Sequence, residues 1–233
     1  MNIQYVVLSA DSNLDSRINP ARNTWIRRLS ANEGHVFLTD RLCDADCFPY
    51  NDDRYLQPLN YDTVSYKYMK FFKEHIHTVG TNYFFMDDDT YPVFPVIRNL
   101  FIVDDYPSIV GFILKSNMPT ISWGKDVYSS VLYPSGGRGF FMNESCFTAI
   151  QGCVKFFGNM SPMSSYTDVT IGSWIKSFGV PVRFFHHRNM EEYNSDFVRG
   201  RITDNSTYHR VEGNQFFELE NRMKDESVPH YHI

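Results

Sequence analysis

The stretch at 82–89, Asn-Tyr-Phe-Phe-Met-Asp-Asp-Asp, decides how the rest of the chain is read. Its aromatic and apolar run predicts a strand over 82–86. That strand delivers three adjacent carboxylates, Asp87, Asp88 and Asp89, at its carboxyl end. Like charges a few ångströms apart raise one another's pKa unless a cation compensates. A divalent ion is the simplest compensation. Oxygen ligands suit Mg²⁺ or Mn²⁺, and one added imidazole tilts the choice toward Mn²⁺. The plain alternative is an exposed acidic loop, because acidic runs are usually solvated. Position favours a site, since open α/β sheets bind ligands beyond the carboxyl ends of their strands.

Working outward, residues 3–8 form a β-branched apolar run ahead of a turn-rich segment, SADSNLDS, and 35–38 read as a second strand. Pro20 opens a predicted helix, ARNTWIRRLSA. Over 59–79, Val64, Tyr68, Phe71, Phe72, Ile76 and Val79 fall at helical spacing and predict a long amphipathic helix. A short helix is expected over 92–101, a strand over 108–114, a glycine-rich turn at YPSGGRGFF and a helix over 144–157. Ile171, Trp174, Ile175 and Phe178 mark a further helix, 180–185 a strand, 207–211 a strand and 216–223 a last helix. Strands alternating with helices predict one α/β domain with a mixed sheet.

The composition narrows the function classes. In 233 residues, 22 Lys and Arg stand against 27 Asp and Glu, a net charge of −5. No basic run appears, so nucleic acid and anionic membrane fall in rank as partners. Aromatic residues make up 16%, well above what disordered chains carry. No apolar stretch is long enough to predict a membrane span, and the opening MNIQYVVLSA lacks a signal-peptide layout. As written, the sequence is therefore expected to be cytoplasmic or otherwise soluble. Cys43, Cys47, Cys146 and Cys153 lack zinc-type spacing. The last two would lie about 10 Å apart along a helix, too far for a disulfide, so reduced thiols are expected. The sequons at Asn143, Asn159 and Asn205 would matter only in a secretory compartment.

A competing reading of the acidic run is the aspartate phosphotransferase signature DxDx(T/V), which would make the chain a metal-dependent phosphohydrolase. Its fifth place holds Tyr91, which disfavours it.

Several ordered motifs resemble the β-1,3-glycosyltransferase superfamily of fringe, the core 1 galactosyltransferases and the β-1,3-galactosyl and N-acetylglucosaminyl transferases. SADSNLDSRINPARNTW is similar to the family's opening, with Arg17 and Arg22 on its two arginines, and HVFLTD matches its second strand. NYDTVSYKYMKFF resembles the N-L-T-x-K-T helix with Lys67 in the lysine place, and FFMDDDTY resembles the DxD strand. YPSGGRGFFMNE resembles Y-x-S-G-G-A-G-Y with Arg138 replacing a small residue, TDVTIG resembles (E/D)-D-V-x-x-G, and TYHRVEGNQFFELE resembles the late S-F-H-Y-V segment. Each motif alone is a weak pattern; their shared order is the signal.

The resemblance implies a single GT-A type nucleotide-sugar-binding domain over 1–233, with a mixed, mostly parallel sheet flanked by helices. Its nucleotide part would run to about 115 and its acceptor part from about 116. It implies an inverting, metal-dependent transfer of a hexose or N-acetylhexosamine from a UDP-sugar to a glycan or glycoprotein hydroxyl, in a β-1,3 linkage. Asp87, Asp89 and His209 would hold Mn²⁺ or Mg²⁺, with His186 of the RFFHHRN segment as the spare ligand. Ser9, Ala10, Arg17, Arg22, Lys67, Asp87, Asp88, Gly136, Gly137 and Arg138 would face the donor. Asp168 would be the general base. Each has a bland alternative: helix-face charge for Arg17 and Arg22, a snorkelling stem for Lys67, chain turning for the glycines, a helix cap for Asp168, and a structural histidine for His209. The family's membrane anchor, stem and disulfide set are missing from these residues, so the Golgi lumen would apply only to an excised catalytic domain, and the oligomeric state is left open. A catalytically silent member serving as a chaperone or glycan-binding module is the alternative of another class; loss of the acidic run or of Asp168 would favour it, and both are present.

Overall fold

A computed structural model describes residues 2–41, 44–50, 61–100, 105–122, 125–156, 167–192, 205 and 207–227. In chain order the elements are β1 (Asn2–Leu8), α1 (Asn19–Asn23), β2 (Glu33–Thr39), β3 (Cys47–Pro49), α2 (Tyr61–Glu74), β4 (Thr81–Asp87), β5 (Tyr91–Pro92) and α3 (Phe94–Ile97). They continue with β6 (Ser108–Gly111), β7 (Ile113–Ser122), β8 (Lys125–Pro134), β9 (Phe140–Met142), α4 (Glu144–Phe156), α5 (Thr167–Phe178), β10 (Arg183–His186), β11 (Met190–Glu192), β12 (Thr207–His209) and α6 (Gln215–Ser227).

Successive strand residues point to opposite faces, and the two central strands are apolar on both. Tyr5 and Val7 of β1 with Phe84 and Met86 of β4 pack against Ala21, Trp25, Phe94, Phe216 and Leu219. Val6 with Tyr83 and Phe85 packs on the other side against Tyr68, Phe72, Phe147 and Trp174. Burying one such side chain contributes roughly 1.5–3 kcal/mol, so strands that are apolar on both faces are stable only with both faces covered, as here. The Tyr83 and Phe147 rings stack at 3.7 Å between centroids. The result is an α/β fold: a seven-stranded, mostly parallel sheet of order β10-β6-β9-β4-β1-β2-β3, with helices on both faces and β9 antiparallel to its neighbours. β1 is flanked by β2 on one side and β4 on the other. The chain therefore reverses direction across the sheet beside β1, the place where such folds open a crevice beyond the strand ends.

Several boundaries depart from the sequence reading. The helix expected from Pro20 breaks at Thr24, whose hydroxyl donates to the Pro20 carbonyl (2.7 Å) while Trp25 turns into the core. A π-helical turn, Leu14–Ile18, precedes it. α2 stops at Glu74, because His75 stacks on Phe71 (4.4 Å) and the Gln151 amide takes its carbonyl (2.9 Å). Ile76 and Val79, predicted on the apolar stripe, are 88% and 83% exposed. The strand expected at 108–114 is two: β6 stays in the main sheet, whereas β7 leaves to form an antiparallel hairpin with β8. The helix expected at 92–101 shrinks to α3, with β5 ahead of it.

The expectation of reduced thiols holds for Cys146 and Cys153 but is corrected at Cys47, which is disulfide-bonded. A tight turn closed by the Cys47 N–H on the Asp44 carbonyl (3.1 Å) folds the chain back just before it. Cys43, Asn159, residues 59–60 and the predicted helix ends at 101 and 157 lie outside the described residues. Asn143, in the first sequon, is a buried cap of α4, its side-chain oxygen accepting the Cys146 and Ser108 N–H groups at 3.1 and 2.8 Å. Among the described residues, no helix is long and apolar enough to cross a membrane.

The hairpin is fastened to the domain through α5. A Cβ on Gly172 would sit 2.6 Å from the Leu132 carbonyl oxygen and 2.8 Å from Tyr133 Cβ. Gly172→Ala is expected to destabilise the fold by about 1–3 kcal/mol, the scale of overpacking, as read from the urea midpoint; an unchanged midpoint would show that α5 does not fasten β8.

Candidate active site

β1 and β4 end side by side, and past their ends opens a cleft of about 540 Å³. Leu8 at the end of β1 and Ser9, Ala10, Asn13 and Arg17 from the segment after it line the cleft, with Asp87, Asp88 and Asp89 from the end of β4. Val64 and Lys67 of α2, the turn at Ser135, Gly136, Gly137 and Arg138, Thr167 and Asp168 at the start of α5, and His209 and Arg210 complete the wall. The cleft thus gathers, from six segments, every residue that the sequence singled out as a site candidate except Arg22 and His186. Arg22 turns away, its guanidinium hydrogen-bonded to Asp46 across from Asn19. His186 lies on β10, where its Nδ1 accepts the Ile113 N–H (3.1 Å) beside the Phe112 ring.

His209 reaches the acidic run through a small second sheet. β12 pairs antiparallel with β5, Tyr208 opposite Tyr91, which sets His209 beside the turn that carries Asp89. The Val211 N–H donates to the Asp89 carbonyl (2.8 Å), and between them Arg210 adopts a left-handed φ of 65°. A non-glycine residue held there costs energy and marks a segment fixed by its surroundings. One ligand atom each from Asp87, Asp89 and His209 lies within 4.8 Å of the others.

Their environment fits a cation. Asp89 Oδ1 is buried with no hydrogen-bond partner and lies 3.4 Å from His209 Nε2, and His209 Nδ1 is buried and unpartnered as well. Burial of its carboxyl group, and then the charges of Asp89 and Asp88, push the Asp87 pKa up to about 7. Two carboxylates and an imidazole with vacant lone pairs form a donor set that a divalent ion satisfies directly.

Asp88 is different. It is 5% exposed, and its two oxygens accept the Ser9 hydroxyl (2.6 Å), the Asn13 amide (2.7 Å) and Arg17 Nη1 (2.8 Å). Arg17 Nη2 reaches Glu212 on the rim (3.1 Å). Lys67, 2% exposed, donates to the Ser9 carbonyl (2.6 Å) and pairs with Asp40 (2.8 Å). Burial lowers its pKa and Asp40 opposes that shift. It therefore braces the turn after β1 rather than snorkelling.

Asp168 stands in the first turn of α5. It accepts the Val169 N–H (2.7 Å) and, from the glycine turn, the Gly136 N–H (3.1 Å). Desolvation raises its pKa against these bonds. A partly desolvated carboxylate at a cleft wall is a stronger proton acceptor than one in water.

The glycine turn is shaped by close approach. A Cβ on Gly137 would lie 2.5 Å from His209 Nε2, and the Gly137 carbonyl accepts the Thr90 hydroxyl (2.5 Å). Gly139 has φ +81°, and a Cβ there would meet the Phe84 ring at 2.9 Å. The Arg138 guanidinium donates to the Met190 carbonyl (3.0 Å) and covers the Phe112 ring (4.2 Å). Sequence reasoning did not single out Asn13, Asp40 or Glu212, because their roles are set by partners between 27 and 195 positions away and no local pattern announces them.

No protein-family model matches the chain, and no curated protein matches its sequence. Among solved structures, it is similar to a glycosyltransferase involved in the glycosylation of the major capsid of PBCV-1, with 13% identity, a TM-score of 0.46, and coverage of 96% of this chain and 100% of that one. It is similar also to the galactosyltransferase LgtC in complex with donor and acceptor sugar analogs, at 11% identity, TM-score 0.47, and 97% and 98% coverage. A third is the CTP:phosphocholine cytidylyltransferase LicC of Streptococcus pneumoniae, at 12% identity, TM-score 0.36, and 95% and 99% coverage.

Because Gly137 leaves room for the imidazole, Gly137→Ala is expected to weaken Mn²⁺ binding about 10- to 100-fold, the scale of displacing the support of a ligand. His209→Ala should do at least as much, and His186→Ala should change little. Calorimetric Mn²⁺ titration checks this; a loss confined to His186→Ala would move the nitrogen ligand to β10.

Proposed function

We propose that the chain is an inverting, metal-dependent glycosyltransferase of GT-A type, moving a hexose or N-acetylhexosamine from a UDP-sugar to a hydroxyl of a glycan or glycoprotein in a β-1,3 linkage. One observation carries this reading: a cation-competent trio, Asp87, Asp89 and His209, and a separate desolvated carboxylate, Asp168, line one cleft together with Arg17 and Lys67. The ordered motifs that resemble the β-1,3-glycosyltransferases supply these same residues, with Arg22, which bonds Asp46, the exception.

Asp87, Asp89 and His209 would hold Mn²⁺, which supplies Lewis-acid neutralisation of the negative charge on a departing diphosphate. Arg17 adds a fixed positive charge on that side of the cleft, 3.9 Å from Asp89 Oδ2. Ser9 and Ala10 form the floor under the nucleotide, with Lys67 fixing the Ser9 carbonyl from beneath. Asp168 lies on the acceptor side, in the part of the chain that follows residue 116. It takes the proton from the acceptor hydroxyl as that oxygen bonds to the anomeric carbon and the bond from that carbon to the diphosphate breaks. Backbone N–H groups from Gly136 and Val169 hold the carboxylate in one orientation through that step. Attack opposite the leaving group, with one base and no covalent intermediate, turns an α-linked donor into a β-linked product.

UDP with Mn²⁺ is expected to raise the melting temperature, by an amount equivalent to about 2.7 kcal/mol at a hundredfold excess over Kd, and EDTA should abolish the rise. UDP release from a panel of UDP-sugars then identifies the donor. No shift with any nucleotide and metal would overturn the donor-site reading.

Asp168→Asn preserves shape and removes the proton acceptor. Transfer should fall by about 10² to 10⁴, the share such proton transfers contribute, while UDP and Mn²⁺ affinities stay at the wild-type level. Retained transfer would refute the base assignment, and lost UDP binding would place Asp168 in the nucleotide site.

A further inference from the structure

The three carboxylates of the acidic run do not have equivalent surroundings. Asp87 and Asp89 join His209 around a common point, and Asp88 is outside that trio. Its backbone N–H donates to the Leu8 carbonyl (3.0 Å), tying the end of β4 to the end of β1. Its carboxylate then collects three donors from one segment, Ser9, Asn13 and Arg17, spaced four residues apart. That segment runs through a 3-10 turn, Asp11–Asn13, and the π-helical turn Leu14–Ile18, and this winding brings the three donors to one carboxylate. A carboxylate offers about four lone-pair positions. Three are taken here in a buried setting, two of them by bonds no longer than 2.7 Å.

We infer that Asp88 is a positioning residue that aims the Arg17 guanidinium into the cleft and touches neither the donor nor the cation. This rests on the reading of the cleft as a nucleoside-diphosphate site. Arg17 spans the cleft mouth, with Nη1 on Asp88 and Nη2 on Glu212, and Asp89 lies 3.9 Å from Nη1. A guanidinium held at a carboxylate keeps its planar fork in one orientation, so less rotamer freedom is lost when a phosphate arrives. Without Asp88, the guanidinium would keep, among the described residues, the exposed Glu212 at 3.1 Å and the more distant Asp89 at 3.9 Å, and lose its shortest contact, the one that points it into the cleft.

The test is a double-mutant cycle on UDP affinity, measured by calorimetry with saturating Mn²⁺. Asp88→Asn and Arg17→Ala should each weaken UDP about tenfold, the scale of one charge-assisted hydrogen bond. The double variant should be no weaker than Arg17→Ala alone, because coupled residues do not add. Asn13→Ala, which leaves every charge in place, should give a smaller loss that also vanishes in the Arg17→Ala background; it carries the same cycle if Asp88→Asn fails to fold. Mn²⁺ affinity without nucleotide should fall far less in Asp88→Asn than in His209→Ala, since Asp88 contributes a neighbouring charge to the trio but no ligand atom. Added guanidinium ion should recover UDP affinity in Arg17→Ala and not in the double variant, since Asp88 is what holds the ion. Additive losses would make Asp88 a direct donor contact, lost Mn²⁺ binding would make it a cation ligand, and rescue without Asp88 would remove its positioning role; each overturns the inference while leaving the donor site standing. A wild-type protein that does not bind UDP with Mn²⁺ overturns both.

Discussion

Three consecutive carboxylates at the end of a buried strand repel one another, and the surrounding architecture offsets that repulsion in three separate ways. Asp88 is neutralised within the protein, by Arg17 and two neutral donors from the segment after β1. Asp89 faces His209 and keeps an unpartnered oxygen, which a cation would satisfy. Asp87, next to both, takes the residual cost as a carboxyl pushed up to about 7. Charge accumulated where water is scarce is expensive unless it is paired, so the groups that crowd the cleft follow from this one electrostatic constraint.

Meeting the constraint requires segments far apart in sequence to converge with little tolerance. The acidic run sits where β4 passes β1, and Asp88 bonds the residue that follows β1. β5 and β12 pair so that His209 arrives beside Asp89, 3.4 Å from its Oδ1, and a side chain on Gly137 would collide with the imidazole. The glycine turn is shared: Gly136 donates to Asp168, and the Gly137 carbonyl holds Thr90 next to the acidic run. A single turn therefore couples the desolvated carboxylate on one wall to the cation-competent trio on the other. The neighbouring Tyr91 hydroxyl donates to buried Glu220 on α6 (2.7 Å), which pins the strand that follows the run.

Much of this was legible in the residues. The apolar run at 83–86 predicts a strand, and the three carboxylates that follow it fall at that strand's carboxyl end. Glycines at 136, 137 and 139 announced a turn, and the period of Ile171, Trp174 and Ile175 announced the helix that carries Asp168. Where the pattern failed, tertiary contacts had overridden it. Ile76 and Val79 continue the helical period of α2 on paper, yet the chain leaves the helix at Glu74 because His75 is held by Phe71 and Gln151. Arg17 and Arg22 look alike five residues apart, but the π-helical turn and the break at Thr24 give them different surroundings: Arg17 lines the cleft, while Arg22 bonds Asp46.

By itself the sequence determined the alternation of strands and helices, the acidic strand end and the identity of the groups able to carry chemistry, because those follow from short-range periodicity and side-chain type. Only the tertiary structure decided that Asp88 is saturated while Asp89 is not, that His209 and not His186 meets the acidic run, and that Lys67 is buried on Asp40. Those outcomes depend on strand register and on chain reversals between residues tens to more than a hundred positions apart. Local propensity carries no information about such distances.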